Sequence, residues 1–431
     1  MNYLSTRSDP TLLSLSEALA QGLAADGGLL VPQRFPTLGF DRFYDHATEA
    51  VAKVFLKPFF SDDALAESLD AIVDEALNFP LPLVPLKGEH DVSVLELFHG
   101  PTAAFKDVGA RFLAACFKRL PPVSEQRLTI LVATSGDTGG AVAAAFYGVP
   151  NIDVVVLYPK GLVSPRQEMQ LTCWGQNVRT LAVAGTFDDC QRLVKEAFAN
   201  AAQVPQRRLS SANSINIGRL LPQACYYVKS SLETFKRTGK PANYVVPSGN
   251  LGNVLAAVWA RKVGLPIDRL QLAFNANRTV VDYLESGEWQ PRSSVSTLAS
   301  AMDVGNPSNM ERLRHLFPDV GLMNEAIQAV SIDDATIQGR IVADLKHYEQ
   351  IWCPHTATAA EAYERLLPAD KDHGPWILVA TAHPAKFPEI VEPLIGEAIP
   401  VPPSLAELMN RPRSVTEIAA ELPALLEQLN R

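Results

Sequence analysis

The sequence predicts an α/β protein with a mostly parallel sheet, preceded by a mainly helical N-terminal domain. Three observations carry this. Short β-branched runs alternate with helix-like runs through the middle of the chain. Several strand runs end in glycine-rich turns that open a helix, the place where open parallel sheets bind ligands. The first part of the chain lacks this alternation and shows helical apolar spacing instead, as at Leu12, Leu15, Leu19 and Leu23.

Residues 1–82 form the first unit. It closes at Phe79-Pro80-Leu81-Pro82-Leu83-Val84-Pro85, where proline blocks helix and favours an extended connector. Residues 83–395 form the catalytic region, with a smaller α/β subdomain inserted at roughly 124–210. Strands are expected at Leu128 to Ala133, Val154 to Tyr158, Val178 to Val183, Tyr244 to Val246, Leu270 to Phe274 and Trp376 to Ala380. Helices are expected between them at Asp107 to Leu120, Thr138 to Tyr147, Phe187 to Ala202, Ile217 to Phe235 and Asn253 to Val263. Residues 396–431 read as a proline-punctuated helical tail, and neither an internal repeat nor a low-complexity tract interrupts the chain.

Composition narrows the classes of function. The chain has 431 residues, 47% hydrophobic and 20% charged, an ordinary balance for a folded protein with a large core. A net charge of −9 repels a polyanion and argues against nucleic acid as the main partner. No run reaches the roughly 18 apolar residues that a membrane helix needs. The N-terminus, interrupted by Asp9 and Glu17, does not read as a secretory signal. Cys116, Cys173, Cys190, Cys225 and Cys353 are scattered without metal-type spacing, so buried thiols, a reducing cytoplasm and no metal site are expected.

Three strand-end segments carry chemistry. His99-Gly100-Pro101-Thr102-Ala103-Ala104-Phe105-Lys106-Asp107 brings a lysine to a helix start, where the helix favours anions. A solvated surface lysine is the ordinary reading. A lysine held in an apolar pocket loses its proton more readily and becomes an amine nucleophile suited to a Schiff base. Val246-Pro247-Ser248-Gly249-Asn250-Leu251-Gly252-Asn253 can curl so that N–H groups converge on a phosphate, although an ordinary strand-to-helix turn with an Asn cap fits as well. Ala133-Thr134-Ser135-Gly136-Asp137-Thr138-Gly139-Gly140 offers N–H groups suited to a carboxylate. Its Gly-Asp-Thr-Gly-Gly imitates the trypsin-like Gly-Asp-Ser-Gly-Gly, but threonine replaces the serine and the α/β pattern is wrong for that protease fold.

With these residues in view, the sequence resembles the threonine synthase family, in the branch whose lysine motif reads His-Gly-Pro-Thr-x-Ala-Phe-Lys-Asp. The match runs in order through Gln21-Gly22-Leu23, Leu97 to Asp107, Ala133 to Gly139, Asn213-Ser214-Ile215-Asn216 and Pro247 to Gly252. It continues through Ala301-Met302-Asp303-Val304 and Thr381-Ala382-His383-Pro384-Ala385-Lys386-Phe387. The resemblance implies a fold-type II pyridoxal 5'-phosphate enzyme, with two open twisted α/β domains and the cofactor between them. It is related in architecture to the tryptophan synthase β chain. On that resemblance Lys106 would hold the cofactor, and Gly249, Asn250, Leu251, Gly252 and Asn253 would cradle its phosphate. Thr381 would offer its hydroxyl to the pyridine nitrogen, and Asp137 would lie near the cofactor 3-hydroxyl. Family members commonly read Gly-Asn-Phe-Gly-Asp in the phosphate loop. Leu251 and Asn253 depart from that, which a cradle of backbone N–H groups survives.

The activity implied is conversion of O-phospho-L-homoserine and water to L-threonine and phosphate by γ-elimination and β-hydration. The last step of threonine biosynthesis is thereby implied, with no obligate protein partner and no membrane. Lys106 would serve as the base once the substrate amine displaces it. Ser135, Gly136 and Thr138 would bind the substrate carboxylate. Ser164, Asn216 and Arg219 are the candidates for its phosphate, with Arg219 favoured because guanidinium suits phosphate bidentately. His355 reads as a packing residue, whereas His99 and His383 lie inside the specific motifs and keep both structural and catalytic readings. Two alternatives stand beside this. A related lyase or synthase, such as threonine dehydratase or cysteine synthase, would have no use for a second phosphate site. A non-catalytic binding domain of the same fold would have no use for Lys106.

Overall fold

The computed structural model describes every residue except 45–46 and 121–125. The expected start of the smaller subdomain, at residue 124, lies outside the described residues. In the N-terminal region β1 (Tyr3–Ser5) and β2 (Leu30–Pro32) pair antiparallel around a short helix, Leu15–Gln21. That helix is shorter than the leucine spacing suggests. Ser14 caps it reciprocally with Glu17, and Gly22 at φ +76° ends it, so Leu15 and Leu19 are buried while Leu12 is 47% exposed. Helices Thr48–Leu56 and Leu69–Ala76 complete the unit.

The strands that follow are β3 (Leu83–Pro85), β4 (Val92–Glu96), β5 (Arg127–Ala133), β6 (Ile152–Pro159), β7 (Val178–Ala184) and β8 (Arg207–Ser211). Then come β9 (Ala242–Pro247), β10 (Ile267–Phe274), β11 (Gln328–Ser331), β12 (Trp376–Ala380) and β13 (Thr416–Ala419). They build two sheets. The larger has the order β11-β10-β9-β12-β4-β3, parallel except for β3 against β4. The smaller has the order β13-β7-β6-β5-β8 and is wholly parallel.

Parallel strands are covered on both faces, and the residues alternate accordingly. In β5, Leu128, Ile130 and Val132 enter one core, while Leu131 and Ala133 enter another under the C-terminal helix. In β12, Ile377 and Val379 face the first core, and Trp376, Leu378 and Ala380 face a third. All six expected strands form.

The tail is not purely helical. β13 extends the smaller sheet by pairing with β7, with Ile418 buried. Four residues, three of them exposed, give too short an apolar pattern to announce a strand. The helix expected as one piece from Ile217 to Phe235 is broken into Ile217–Leu220, a tight turn at Leu221–Gln223, and Ala224–Thr238. Pro222 lacks the N–H that would continue it.

Candidate active site

The strands β9, β12 and β4 are neighbours, so the loops at their C-terminal ends meet. The loop after β4 carries Lys106 into the first turn of helix Lys106–Phe117. It is pinned to the loop after β12: Phe105 N–H donates to Thr381 O at 2.8 Å, and His383 N–H donates to Ala103 O at 3.0 Å. Buried Asp107 folds the loop back on itself, accepting from Thr102 N–H at 2.8 Å and from the Thr102 hydroxyl at 2.7 Å. A Cβ on Gly100 would lie 2.5 Å from that carboxylate, so glycine is required there. Lys106 Nζ sits 4.4 Å from the Phe105 ring centroid. Removal from water, with the Arg219 cation adding to it and Asp137 opposing, pushes its pKa down to about 8.

The turn after β9 enters helix Gly252–Val263 through Leu251, held left-handed at φ +63°. The first N–H groups of a helix have no intrahelical partner, which leaves them to face the cavity. The Asn250 side chain braces the turn, donating to Ser214 Oγ at 2.5 Å and accepting from Ser308 N–H at 2.5 Å. Gly249 is packed so closely that an added Cβ would lie 2.8 Å from Met302 Cα. Asn253 Oδ1 accepts from both Tyr226 OH and Tyr227 OH, at 2.5 and 2.8 Å. Its Nδ2 is buried with no partner among the described residues.

From the smaller sheet, the turn after β5 brings Asp137 and Thr138 to the same cavity. Asp137 is not free. It forms a buried ion pair with Lys386 Nζ at 2.9 Å and accepts from Gln167 Nε2 at 3.2 Å. Burial alone would raise its pKa, but the Lys386 charge and hydrogen bond, together with the Gln167 hydrogen bond and the field of its other neighbours, hold the carboxyl below its ordinary value. Lys386 also donates to Thr102 O at 2.7 Å, so one ammonium ties the turn after β5 to the Lys106 loop. Arg219, on the short helix after β8, lines the cavity with its Nε buried and unpartnered among the described residues. Its other end donates to Ala212 O, and burial pushes its pKa down to about 10. Behind it Arg312, 1% exposed, holds the cavity wall through backbone carbonyls: Ser214 O at 3.1 Å, Ile215 O at 2.7 Å and Leu30 O at 3.1 Å.

One cavity thus gathers a lysine of lowered pKa, an open helix N-terminus and a buried guanidinium with an open donor. Known proteins resolve what that combination belongs to. The profile described as "Pyridoxal-phosphate dependent enzyme" matches residues 76–381, and those described as "Threonine synthase N terminus" and "Threonine synthase, C-terminal" match 2–77 and 356–429. Threonine synthase of Escherichia coli strain K12 is 40% identical over 419 residues, 96% of this chain and 95% of that protein. The chain belongs to the threonine synthase family. The crystal structure of the Escherichia coli enzyme covers 100% of this chain and 99% of its own with a TM-score of 0.90 at 38% identity. A structure of "PLP bound" threonine synthase from Brucella melitensis matches with the same TM-score, 34% identity, and 100% and 99% coverage. The fold is that of fold-type II pyridoxal-phosphate enzymes, and pyridoxal phosphate is the family's cofactor.

The cavity suits that cofactor on its own evidence. Asn253 Nδ2, Arg219 Nε and His355 Nδ1 are buried donors without a partner among the described residues, all on residues that line it. A Cβ at Gly249 would crowd the same turn. The departure at 253 is also explained: Asn253 Oδ1 accepts the two tyrosine hydroxyls as a carboxylate oxygen would.

The structure brings Lys106, Asp137, Thr138, Arg219, Gly249, Asn250, Leu251, Gly252, Asn253 and Thr381 to this cavity. It leaves four expected residues outside its lining. Asn216 caps its own helix, accepting from Gly218 N–H at 2.9 Å and donating to Leu19 O at 2.9 Å and Ser211 O at 3.1 Å, so no donor is left for a phosphate. Ser164 caps helix Pro165–Thr172 with Gln167, and its hydroxyl lies 3.4 Å from Lys386 O. Gly136 N–H is already taken by Thr134 Oγ1 at 2.9 Å, and Ser135 precedes it off the cavity wall. Capping residues and phosphate ligands share one composition, which is why sequence did not separate them.

Sequence reasoning missed Ser214, Gln223 and His355 on the wall and Lys386 behind it. Lys386 had a signal, its place in the Thr381 to Phe387 motif. His383 and His99 do not line the cavity: His383 Nδ1 accepts from Ala385 N–H at 3.1 Å, and exposed His99 pairs with Glu96 at 2.7 Å.

Proposed function

We propose that this chain converts O-phospho-L-homoserine and water to L-threonine and phosphate, with Lys106 as the cofactor-holding lysine and proton carrier. The observation that carries it is that one cavity is lined both by the helix start at Gly249–Asn253 and by the Arg219 guanidinium, two features each suited to an anion. A cofactor phosphate uses the first, and a phosphorylated substrate uses the second. An elimination enzyme with an unphosphorylated substrate would not need Arg219 held there, buried and with its Nε unpartnered among the described residues.

When bound, the cofactor supplies an electron sink that acidifies the carbons next to the substrate amine. Lys106, with its pKa down at about 8, is neutral often enough near pH 7 to take the α-proton and then a β-proton. It returns protons at the γ- and α-carbons, and water adds at the β-carbon after phosphate has left the γ-carbon. Arg219 receives the departing phosphate charge. Thr138, beside the N–H groups at the start of helix Asp137–Phe146, holds the substrate carboxylate. Thr381 offers a hydroxyl, a neutral partner, to the pyridine nitrogen, and Asp137 stays a carboxylate because Lys386 faces it. The reading sets the reaction in a reducing cytoplasm, supported by five buried free thiols.

The test is phosphate release from O-phosphohomoserine with threonine quantified in parallel, for wild type and Lys106→Ala. Matched products from wild type and none from the variant are expected. Phosphate accompanied by a keto acid would move the chain to an elimination class. Bound cofactor without turnover would move it to the related synthases and dehydratases.

A further inference from the structure

His355 opens helix Pro354–Glu364 and is 3% exposed, with Phe387 packed against its ring at 4.9 Å between centroids. Its Nε2 accepts a hydrogen bond from Ala301 N–H at 3.0 Å. A ring nitrogen that accepts carries no proton, so the proton of the neutral ring is on Nδ1. That Nδ1 is buried and has no partner among the described residues. His355 is among the residues that line the cavity with Lys106, Asp137 and Thr381. Buried polar groups are ordinarily satisfied, and an orphan donor on a residue that lines a ligand cavity points to an acceptor supplied by the ligand.

The charges around the ring keep it neutral. Burial pushes its pKa down to about 4, the Lys106 and Lys386 cations act in the same direction, and Asp137 opposes them. His355 therefore presents one fixed N–H across the working pH range and does not itself shuttle protons. The accepting nitrogen has a second consequence. Ala301 and Met302 pack against Gly249, so His355 also steadies the backbone beside the phosphate turn.

We propose that His355 is a binding residue of the active cavity, donating its Nδ1 proton to an oxygen acceptor of the bound cofactor or substrate. This rests on the reading of the cavity given above, but its test reads the imidazole directly, so failure of turnover and failure of this assignment are distinguishable. The probe is a ¹H–¹⁵N correlation of ¹⁵N-histidine-labelled protein, with His355→Phe assigning the signal. The expected result is an Nδ1-protonated neutral ring, unchanged between about pH 5.5 and 8.5. Its N–H should move downfield on an added ligand. A shift on loading pyridoxal phosphate alone assigns the acceptor to the cofactor, and a shift only after adding O-phosphoserine to the loaded protein assigns it to the substrate. An Nε2-protonated ring, or an N–H that neither ligand moves, overturns the proposal.

Two isosteres separate donation from positioning. In His355→Asn the amide N–H₂ falls near the place of Nδ1 and can donate as it does, and in His355→Gln the amide oxygen falls near that of Nε2 and can accept from Ala301 N–H. If donation matters, the Asn variant keeps the affinity of the assigned ligand within about threefold, while the Gln variant loses about tenfold or more. The opposite order would reduce His355 to a brace for Ala301.

Discussion

Replacing Lys386 with methionine should uncouple the two sheets at the cavity. The side chain is 1% exposed, and its ammonium is the sole cation within ion-pair distance of Asp137 among the described residues. Met keeps the length of the stem, so the change removes a charge rather than a volume. Breaking a buried pair on one side leaves an uncompensated ion and costs about 3–5 kcal/mol. Thr102 O still accepts from Gln170 Nε2 at 3.1 Å, so the Lys106 loop is not left wholly unpaired. At about 2.1 cal/mol/K per residue, the 431 residues have a melting entropy near 0.9 kcal/mol/K, so a cooperative transition should fall by about 3–6 °C. The pH dependence gives the sharper check. In wild type, Asp137 has a depressed pKa and contributes stability above the ordinary carboxyl range that is lost as pH falls through its folded value. In Lys386→Met the charge that opposes burial is lost, the Gln167 hydrogen bond alone being weaker, and that pKa rises relative to wild type. The penalty should then be largest at pH 7–8 and shrink as acid neutralises Asp137. Adding Asp137→Asn should restore at least about 2 kcal/mol, the coupling expected of contacting charges. A single variant as stable as wild type at every pH, or a double variant no better than the single, would refute the reasoning.

Four further outcomes follow from the cavity and the residues that support it. Gly249→Ala places a Cβ 2.8 Å from Met302 Cα, backbone that cannot swing aside, and the strain of about 1–3 kcal/mol should weaken pyridoxal phosphate binding about tenfold or more in equilibrium dialysis. Capture of pyridoxal phosphate by the apoprotein, followed by stopped-flow absorbance, should accelerate with a midpoint near the Lys106 pKa of about 8 as the amine loses its proton. Arg219→Met removes a cation that lowers that pKa, so the midpoint should move up. It should also raise the KM for the phosphorylated substrate more than it weakens cofactor binding. Arg312→Met leaves the carbonyls of Leu30, Ser214 and Ile215 short of a donor and should cost about 3 kcal/mol or more in apparent stability, read by denaturant midpoint.

Much of the fold was legible because parallel strands buried on both faces write continuous apolar runs. β5, β6, β9 and β12 each place residues in two cores, and each was located from sequence. The edges were harder. β8 reads Arg-Arg-Leu-Ser-Ser and β13 Thr-Glu-Ile-Ala, because an edge strand has less to bury and carries polar residues without penalty. β4 is central, yet its five residues lie next to a charged turn and were passed over although they deliver Lys106.

The site divides along a physical line. Backbone features announce themselves, since a helix start at a strand end needs glycines and prolines in fixed places, and so the Lys106 loop and the Gly249–Asn253 turn stood out. Side chains that act by being buried do not. Arg312 lies in Met310–Leu316, where helical spacing gives no reason to place it inside, and only the carbonyls of distant Leu30, Ser214 and Ile215 explain it. His355 looked like packing because the partner that fixes its tautomer, Ala301, is 54 residues away. Asn216 erred the other way, with a phosphate ligand's composition and a cap's geometry. A polar residue's work is set by which of its donors are already taken, and that is a property of the folded chain.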